Sequence, residues 1–252
     1  WKEKMIIYHS FLFMICIFYF TGALCARTYL KFLSGTALRA MRWTIGLGLL
    51  VHLSLLFSNA FTIHLVTSVV LSAAGFFLTF RRSWIFLAVI LYPLVIAILI
   101  LSAFMAPMAA DSADLPSPWL WIHILLMLVG EAFFLLAAVV SILYLIADHQ
   151  LRRKQLSNFH AGLPSLSRMD SFLSECLWAG FTLLSVGMAI GFMFAKQFWE
   201  VGWLLDPKVL FCVLTWFVYA FLLSMRGFQP SFRGRRSAIV ACIGLLAVIF
   251  LS

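Results

Sequence analysis

The sequence predicts an all-α, polytopic integral membrane protein with about eight transmembrane helices and both termini on the outer side. Three observations predict it. Of the 252 residues, 64% are hydrophobic and 11% charged, with a mean hydropathy of +1.07, a balance no ordinary soluble domain has. Apolar runs of about 18 residues or more, the length that crosses a bilayer as a helix, recur along the chain. The runs are continuous rather than alternating, which selects helices over a closed barrel.

In chain order, the predicted spans are 5–25, 43–60, 62–80, 84–105, 119–147, 172–195, 209–225 and 237–252. The connections between them alternate in charge. Arg27, Lys31, Arg39 and Arg42 follow the first span, whereas the turn around Asn59 has no basic residue. Arg81 and Arg82 follow the third, and the next loop, APMAADSADLPSP, carries only Asp111 and Asp114. Arg152, Arg153, Lys154 and Arg168 lie before the sixth span, and Arg226, Arg233, Arg235 and Arg236 before the eighth. Placing these basic loops in the cytoplasm puts 14 of the 18 Lys and Arg residues inside and leaves Lys2, Lys4, Lys196 and Lys208 outside. The net charge of +9 is thereby a topology signal and a contact with anionic lipid, not a nucleic-acid footprint. The whole chain, 1–252, reads as a single transmembrane domain. It has an N-terminal four-helix half (1–118) and a second half (119–252) containing the outer loop 196–208.

The five cysteines are scattered, with no Cys-x-x-Cys and no Cys-x-x-Cys-His, which argues against a disulfide framework, a zinc site and covalent haem on this chain. The first span lacks the small-residue cleavage pattern of a signal peptide. Trp1 in place of Met, and an apolar run that stops at Ser252, read as incomplete ends. There is no Gly-rich phosphate loop, no HExxH and no Ser/His/Asp arrangement, so no self-contained catalytic site is expected. Ahead of the sixth span, GLPSLSRMDSF reads as a loop feeding a helix capped by Ser167 or Asp170.

The segment WEVGWLLDPKVLFCVLTW, 199–216, departs from this background. Trp199, Trp203 and Trp216 stand there with Glu200, Asp206 and Lys208. An interfacial aromatic belt explains the indoles alone. The other reading is a platform on which a flat apolar ligand stacks, its polar edge held by the charges. Asp-Pro-Lys opening an apolar run is also a helix start, with Asp206 as its cap. Among the histidines, His123 opens the fifth span with Met127 and Glu131 on the same helical face. His52 lies inside the second span, and His9 and His64 lie near the outer ends of the first and third. An imidazole in such a place is either a helix–helix hydrogen-bonder or a ligand, haem iron being the case a tryptophan platform favours. Glu131 reads equally as a packing residue and as a cavity-facing partner. His149 and His160 read as solvated loop residues.

The run WEVGWLLDPKVLFCVLTWFVY resembles the tryptophan-rich motif of the cytochrome c assembly family of membrane haem handlers, the CcsA, CcmC and HemX-like proteins. There the loop runs approximately W-G-x-x-W-x-W-D-P-K before a helix with a late Trp. Trp199, Trp203, Asp206, Pro207, Lys208 and Trp216 match, while Leu205 replaces a Trp and Glu200 a Gly. Trp121-Ile122-His123 is similar to the outer histidine that precedes the motif. LPSLSRMDSFLSECLWAGFTLLSVGMAIG is similar to the helix leading into it, and FRGRRSA, 232–238, to the cytoplasmic turn before the last span. The resemblance covers about residue 119 to the end. His52 would correspond to the intramembrane histidine of the N-terminal half.

Met225 stands where full haem exporters carry a second intramembrane histidine. With the compact size, this makes the chain more similar to the HemX-like branch. The resemblance implies haem handling rather than turnover of a substrate. A b-type, non-covalent haem would be held at the outer face by His123 and stacked on Trp199 and Trp203, with Asp206 and Lys208 orienting the loop. His52 would be an intramembrane iron ligand and Met225 a third candidate. The implied partners are a second membrane protein of cytochrome c assembly and apocytochrome c, in a bacterial cytoplasmic (inner) membrane, with the chain as the haem-handling part of a haem lyase. Some HemX-like proteins are linked instead to control of haem supply. Two competing readings are a haem-free scaffold subunit and, on the thin support of Glu131, Gly187 and Gly191, a transporter for another small molecule.

Overall fold

The computed structural model describes residues 2–56, 63–105, 118–154, 164–198 and 206–249. Among the described residues all regular structure is helical: α1 (Lys2–Phe32), α2 (Gly35–Leu56), α3 (Ile63–Leu78), α4 (Ile85–Met105), α5 (Pro118–Arg152), α6 (Leu166–Phe198), α7 (Pro207–Phe228) and α8 (Arg235–Ile249). Short 3-10 turns precede α4 at Arg82–Trp84 and α8 at Pro230–Phe232. Among the described residues, five segments are long and apolar enough to cross a bilayer, namely Ile6–Phe32, Arg82–Phe104, Trp119–Arg152, Leu166–Phe194 and Val209–Phe228, and His64–Leu78 is a shorter apolar helix.

Several helices outrun the apolar stretches that announce them. α1 continues to Phe32 rather than 25, α2 begins at Gly35 rather than 43, and α6 begins at Leu166 rather than 172. Hydropathy marks the part of a helix that suits lipid, whereas backbone pairing continues into polar sequence until a cap ends it. Thus Arg27, Lys31, Arg39 and Arg42 lie on helix ends rather than in a loop. Only Leu33 and Ser34 join α1 to α2, and Leu33 turns the chain in the left-handed region at φ 51°. The cap of α6 is neither Ser167 nor Asp170. Ser165 Oγ accepts the Arg168 N–H at 3.3 Å, and Asp170 is engaged elsewhere.

The described helices form two compact units, one holding α1–α4 and the other α5–α8. In the first, α1 packs on α2 and α4, and α3 lies on α4. Its core is Ile15, Tyr19, Met41, Ile45, Leu65, Leu71 and Tyr92. Arg42 Nη2 donates to the Thr79 carbonyl at 3.1 Å and its guanidinium lies 4.7 Å from the Phe80 ring centre, tying α2 to the end of α3.

In the second unit α5 and α6 make the most extensive contact. Its seam is lined by glycines: Gly130 approaches the Gly180 carbonyl, Gly180 the Phe134 ring, Gly187 the Met127 side chain and Gly191 the His123 ring. Small residues on one face let two backbones come close where lipid offers no hydrophobic drive to associate. Phe134 stacks on Tyr219 of α7 with ring centres 3.7 Å apart.

Candidate functional site

His123 lies on the second turn of α5, at one end of the glycine seam. Its Nδ1 is 2.7 Å from the Gly187 carbonyl oxygen of α6. A carbonyl only accepts, so Nδ1 carries a proton, and in the neutral form of the ring Nε2 then holds the lone pair. Among the described residues Nε2 has no hydrogen-bond partner. A ring nitrogen anchored to a backbone carbonyl, with the other left as a donor of electrons, is the arrangement that metal-ligating histidines use. His123 therefore fits an iron ligand in both tautomer and chemistry.

His52 is built differently. It is fully buried in the first unit, and both ring nitrogens are engaged. Ser68 Oγ donates to the Leu65 carbonyl at 2.8 Å, so it accepts from His52 Nε2–H at 3.1 Å. Nδ1 is then the acceptor, and the Tyr19 hydroxyl donates to it at 3.1 Å. The same polar chain runs on through Ser72, which donates to the Ser68 carbonyl at 2.6 Å, and Tyr92, which donates to the Ser72 carbonyl at 3.2 Å. The one basic lone pair of this imidazole, on Nδ1, is already taken by Tyr19 of α1, and its Nε2–H is given to Ser68 of α3. To ligate iron, His52 would first have to give up one of these bonds.

The outer-loop residues divide. Trp199, Trp203 and Leu205 lie outside the described residues. Asp206 stands immediately before α7, where its carbonyl accepts the Leu210 N–H at 3.0 Å and Pro207 takes the first helical position. This is the helix start expected of Asp-Pro-Lys. Lys208 belongs to the first turn of α7. Trp216, the late tryptophan, packs inward: its indole N–H donates to Ser185 Oγ at 2.9 Å, and its ring lies 5.5 Å from that of Phe181. Met225 lies on the last turns of α7, a helical rise of roughly 27 Å from Pro207, so it sits toward the opposite end of that helix. Glu131, two turns beyond His123, makes no hydrogen bond or ion pair among the described residues. Among them, too, no group of three or more His, Cys, Asp and Glu converges as a metal cluster, and all five cysteines are free.

At the Met225 end of the unit, FRGRRSA has a different task. Arg226 is buried and holds Asp170 of α6 in a fork, Nη1 to Oδ1 at 2.9 Å and Nη2 to Oδ2 at 3.1 Å. The Gly234 N–H donates to the same Oδ1 at 3.0 Å, and Arg226 Nη1 also donates to Ser237 Oγ. Gly234 needs to be glycine, since its φ is +73° and a methyl group there would lie 2.7 Å from the Tyr144 hydroxyl. Charge thus clamps α6, α7 and the start of α8 together. The two residues of the site that sequence reasoning did not place there are Gly187 and Gly191. Their spacing of four, with Gly180 seven before, is the signal of a helix seam, and it marks packing rather than a transport break.

The apolar helices define a multi-pass membrane protein, and among the described residues His123 is a histidine anchored by one ring nitrogen at a helix seam. The sequence model of the family described as Cytochrome C assembly protein matches residues 5–252, and the chain belongs to that family. The match runs through both halves, where the resemblance was legible only from about residue 119. Among curated relatives, the chain is 30% identical over 138 residues to the cytochrome c biogenesis protein CcsA of Chlamydomonas reinhardtii, covering 54% of this chain and 37% of that protein. It is 25% identical over 195 residues to CcsA of Guillardia theta, covering 69% and 64%. To CcsA of Synechococcus sp. (strain CC9902) it is 29% identical over 155 residues, covering 53% and 51%. The chain thus spans less than two thirds of the length of each. No solved structure matches it.

Proposed function

We propose that the chain handles haem for cytochrome c assembly. It holds a b-type haem non-covalently at the outer face, for delivery to apocytochrome c or for control of haem supply. The observation that carries this is His123, whose proton sits on Nδ1 against the Gly187 carbonyl, leaving Nε2 for iron. Membership of the cytochrome c assembly family supports the cargo. The lack of a Cys-x-x-Cys-His run supports non-covalent binding. Trp199 and Trp203 form the stacking platform, with Asp206 and Lys208 ordering the loop that carries them.

The charge alternation supports eight spans with both termini outside, in a bacterial cytoplasmic membrane. Met225 supports the HemX-like branch. The partners are a second membrane protein of the assembly system and apocytochrome c. His52 is a reserve ligand at most, because its bonds to Tyr19 and Ser68 must break first.

The test is an absorbance spectrum, with pyridine haemochrome, of detergent-purified protein and its His123→Ala variant from haem-replete cells. Haem in the parent that falls about tenfold or changes ligation in the variant is the expected outcome. Folded, haem-free parent protein would instead favour a haem-free scaffold subunit.

A further inference from the structure

What meets His123 on α6 is backbone. A methyl group placed on Gly191 would lie 2.6 Å from Cε1 of the ring, 2.9 Å from Nδ1 and 3.3 Å from Nε2. One turn earlier, the Gly187 carbonyl takes the Nδ1–H at 2.7 Å. In an α-helix that carbonyl also receives the N–H of residue 191, four positions on. A carbonyl has two lone pairs, so the imidazole uses the second without breaking the helix ladder. Gly191 has no conformational need to be glycine, because it lies within α6 and Gly234 is the glycine described with positive φ. Alanine would be the better helix former. The empty Cβ position at 191 is explained by the ring that lies against it.

The geometry points to Gly191 and the Gly187 carbonyl as positioning residues for His123. Gly191 lets the imidazole edge reach the helix, and the Gly187 carbonyl fixes its proton on Nδ1 so that Nε2 keeps the lone pair. The purpose of this arrangement rests on the proposed haem function, but its existence does not. Fixing one nitrogen sets the ring's orientation and raises the basicity of the other, the part that carboxylate or carbonyl partners play behind metal-bound histidines. It also gives the site a direction: the ring cannot turn its Nδ1 to a ligand while the Gly187 carbonyl holds it. An alanine at 191 would strengthen α6 by propensity while pushing the ring off its acceptor, so helix stability and ligand geometry move in opposite directions.

The test uses haem-free, 15N-histidine-labelled full chain in detergent micelles, with His123 assigned by the signals that vanish in His123→Ala. The parent is expected to show His123 protonated on Nδ1 and bare on Nε2, and Gly191→Ala to lose that signature while remaining folded. A parent carrying the proton on Nε2, or a Gly191→Ala protein with unchanged His123 signals, overturns the inference whether or not haem binds. Gly180→Ala crowds the Phe134 ring on the same seam at 2.8 Å and serves as the packing control. If it disturbs His123 as much as Gly191→Ala does, the effect is general loosening and the inference also fails.

On protein carrying haem, Gly191→Ala should bind it about tenfold more weakly, as expected for loss of a partner behind a ligand. Added imidazole should restore the parent's absorbance spectrum. Absence of haem from a parent with the Nδ1 signature would overturn the proposed function while leaving the positioning of His123 standing.

Discussion

His52 and His123 are both histidines in apolar helices, and the two units treat them in opposite ways. In the first unit the imidazole is sealed, with Tyr19 on one nitrogen and Ser68 on the other. In the second, one nitrogen is anchored to backbone and the other has no partner among the described residues. A buried polar group that is fully satisfied specifies packing, because every alternative arrangement leaves something unpaired. One that is half satisfied stays available for chemistry. The second unit places its charged clamp, Arg226 with Asp170, toward the far end of the helices from His123. Its candidate ligand and its cross-bracing therefore occupy different places.

The comparison breaks most visibly at the clamp. Arg226→Ala leaves Asp170 partly buried without its fork and should cost about 3 kcal/mol in unfolding of the second unit, read by denaturation in micelles. Replacing both residues by apolar ones of similar volume should cost much less, since no orphaned charge remains. Equal losses from the single and double changes would mean that the hydrogen-bonded fork itself, rather than the orphaned charge, carries the stability. His52→Ala comes next. It removes the acceptor of the Tyr19 hydroxyl and opens a cavity, so it should cost about 2 kcal/mol without a change in ligation of any bound haem. A stable His52→Ala protein would show that the sealed network is not structural. The smallest effect is expected of Ser185→Ala, which removes the acceptor of the Trp216 indole N–H and should cost about 1 kcal/mol, with a shift in tryptophan emission.

Much of this is legible before any coordinates. Continuous apolar runs announce the helices, and a histidine at the head of the fifth run marks the candidate ligand. Helix ends are less legible, because Ser165 rather than a hydropathy change sets the start of α6. Partners across helices are not legible at all. Asp170 looks like a cap until Arg226, 56 residues later, is seen to hold it. His52 looks like a ligand until Tyr19 and Ser68, 33 and 16 residues away, are seen on its two nitrogens. Gly187 and Gly191 are conspicuous as small residues, yet their meaning depends on the register of α5 against α6. That register is set by how side chains interlock along the seam, which no local spacing encodes.

The most direct test compares haem retained per protein by His123→Ala and His52→Ala, purified side by side from haem-replete cells with the parent. The expected result is loss of most haem from the His123 variant and near-parental content, with an unchanged spectrum, in whatever fraction of the His52 variant stays folded. Haem kept by His123→Ala and lost from a folded His52→Ala would contradict the assignment of the open histidine as the haem ligand.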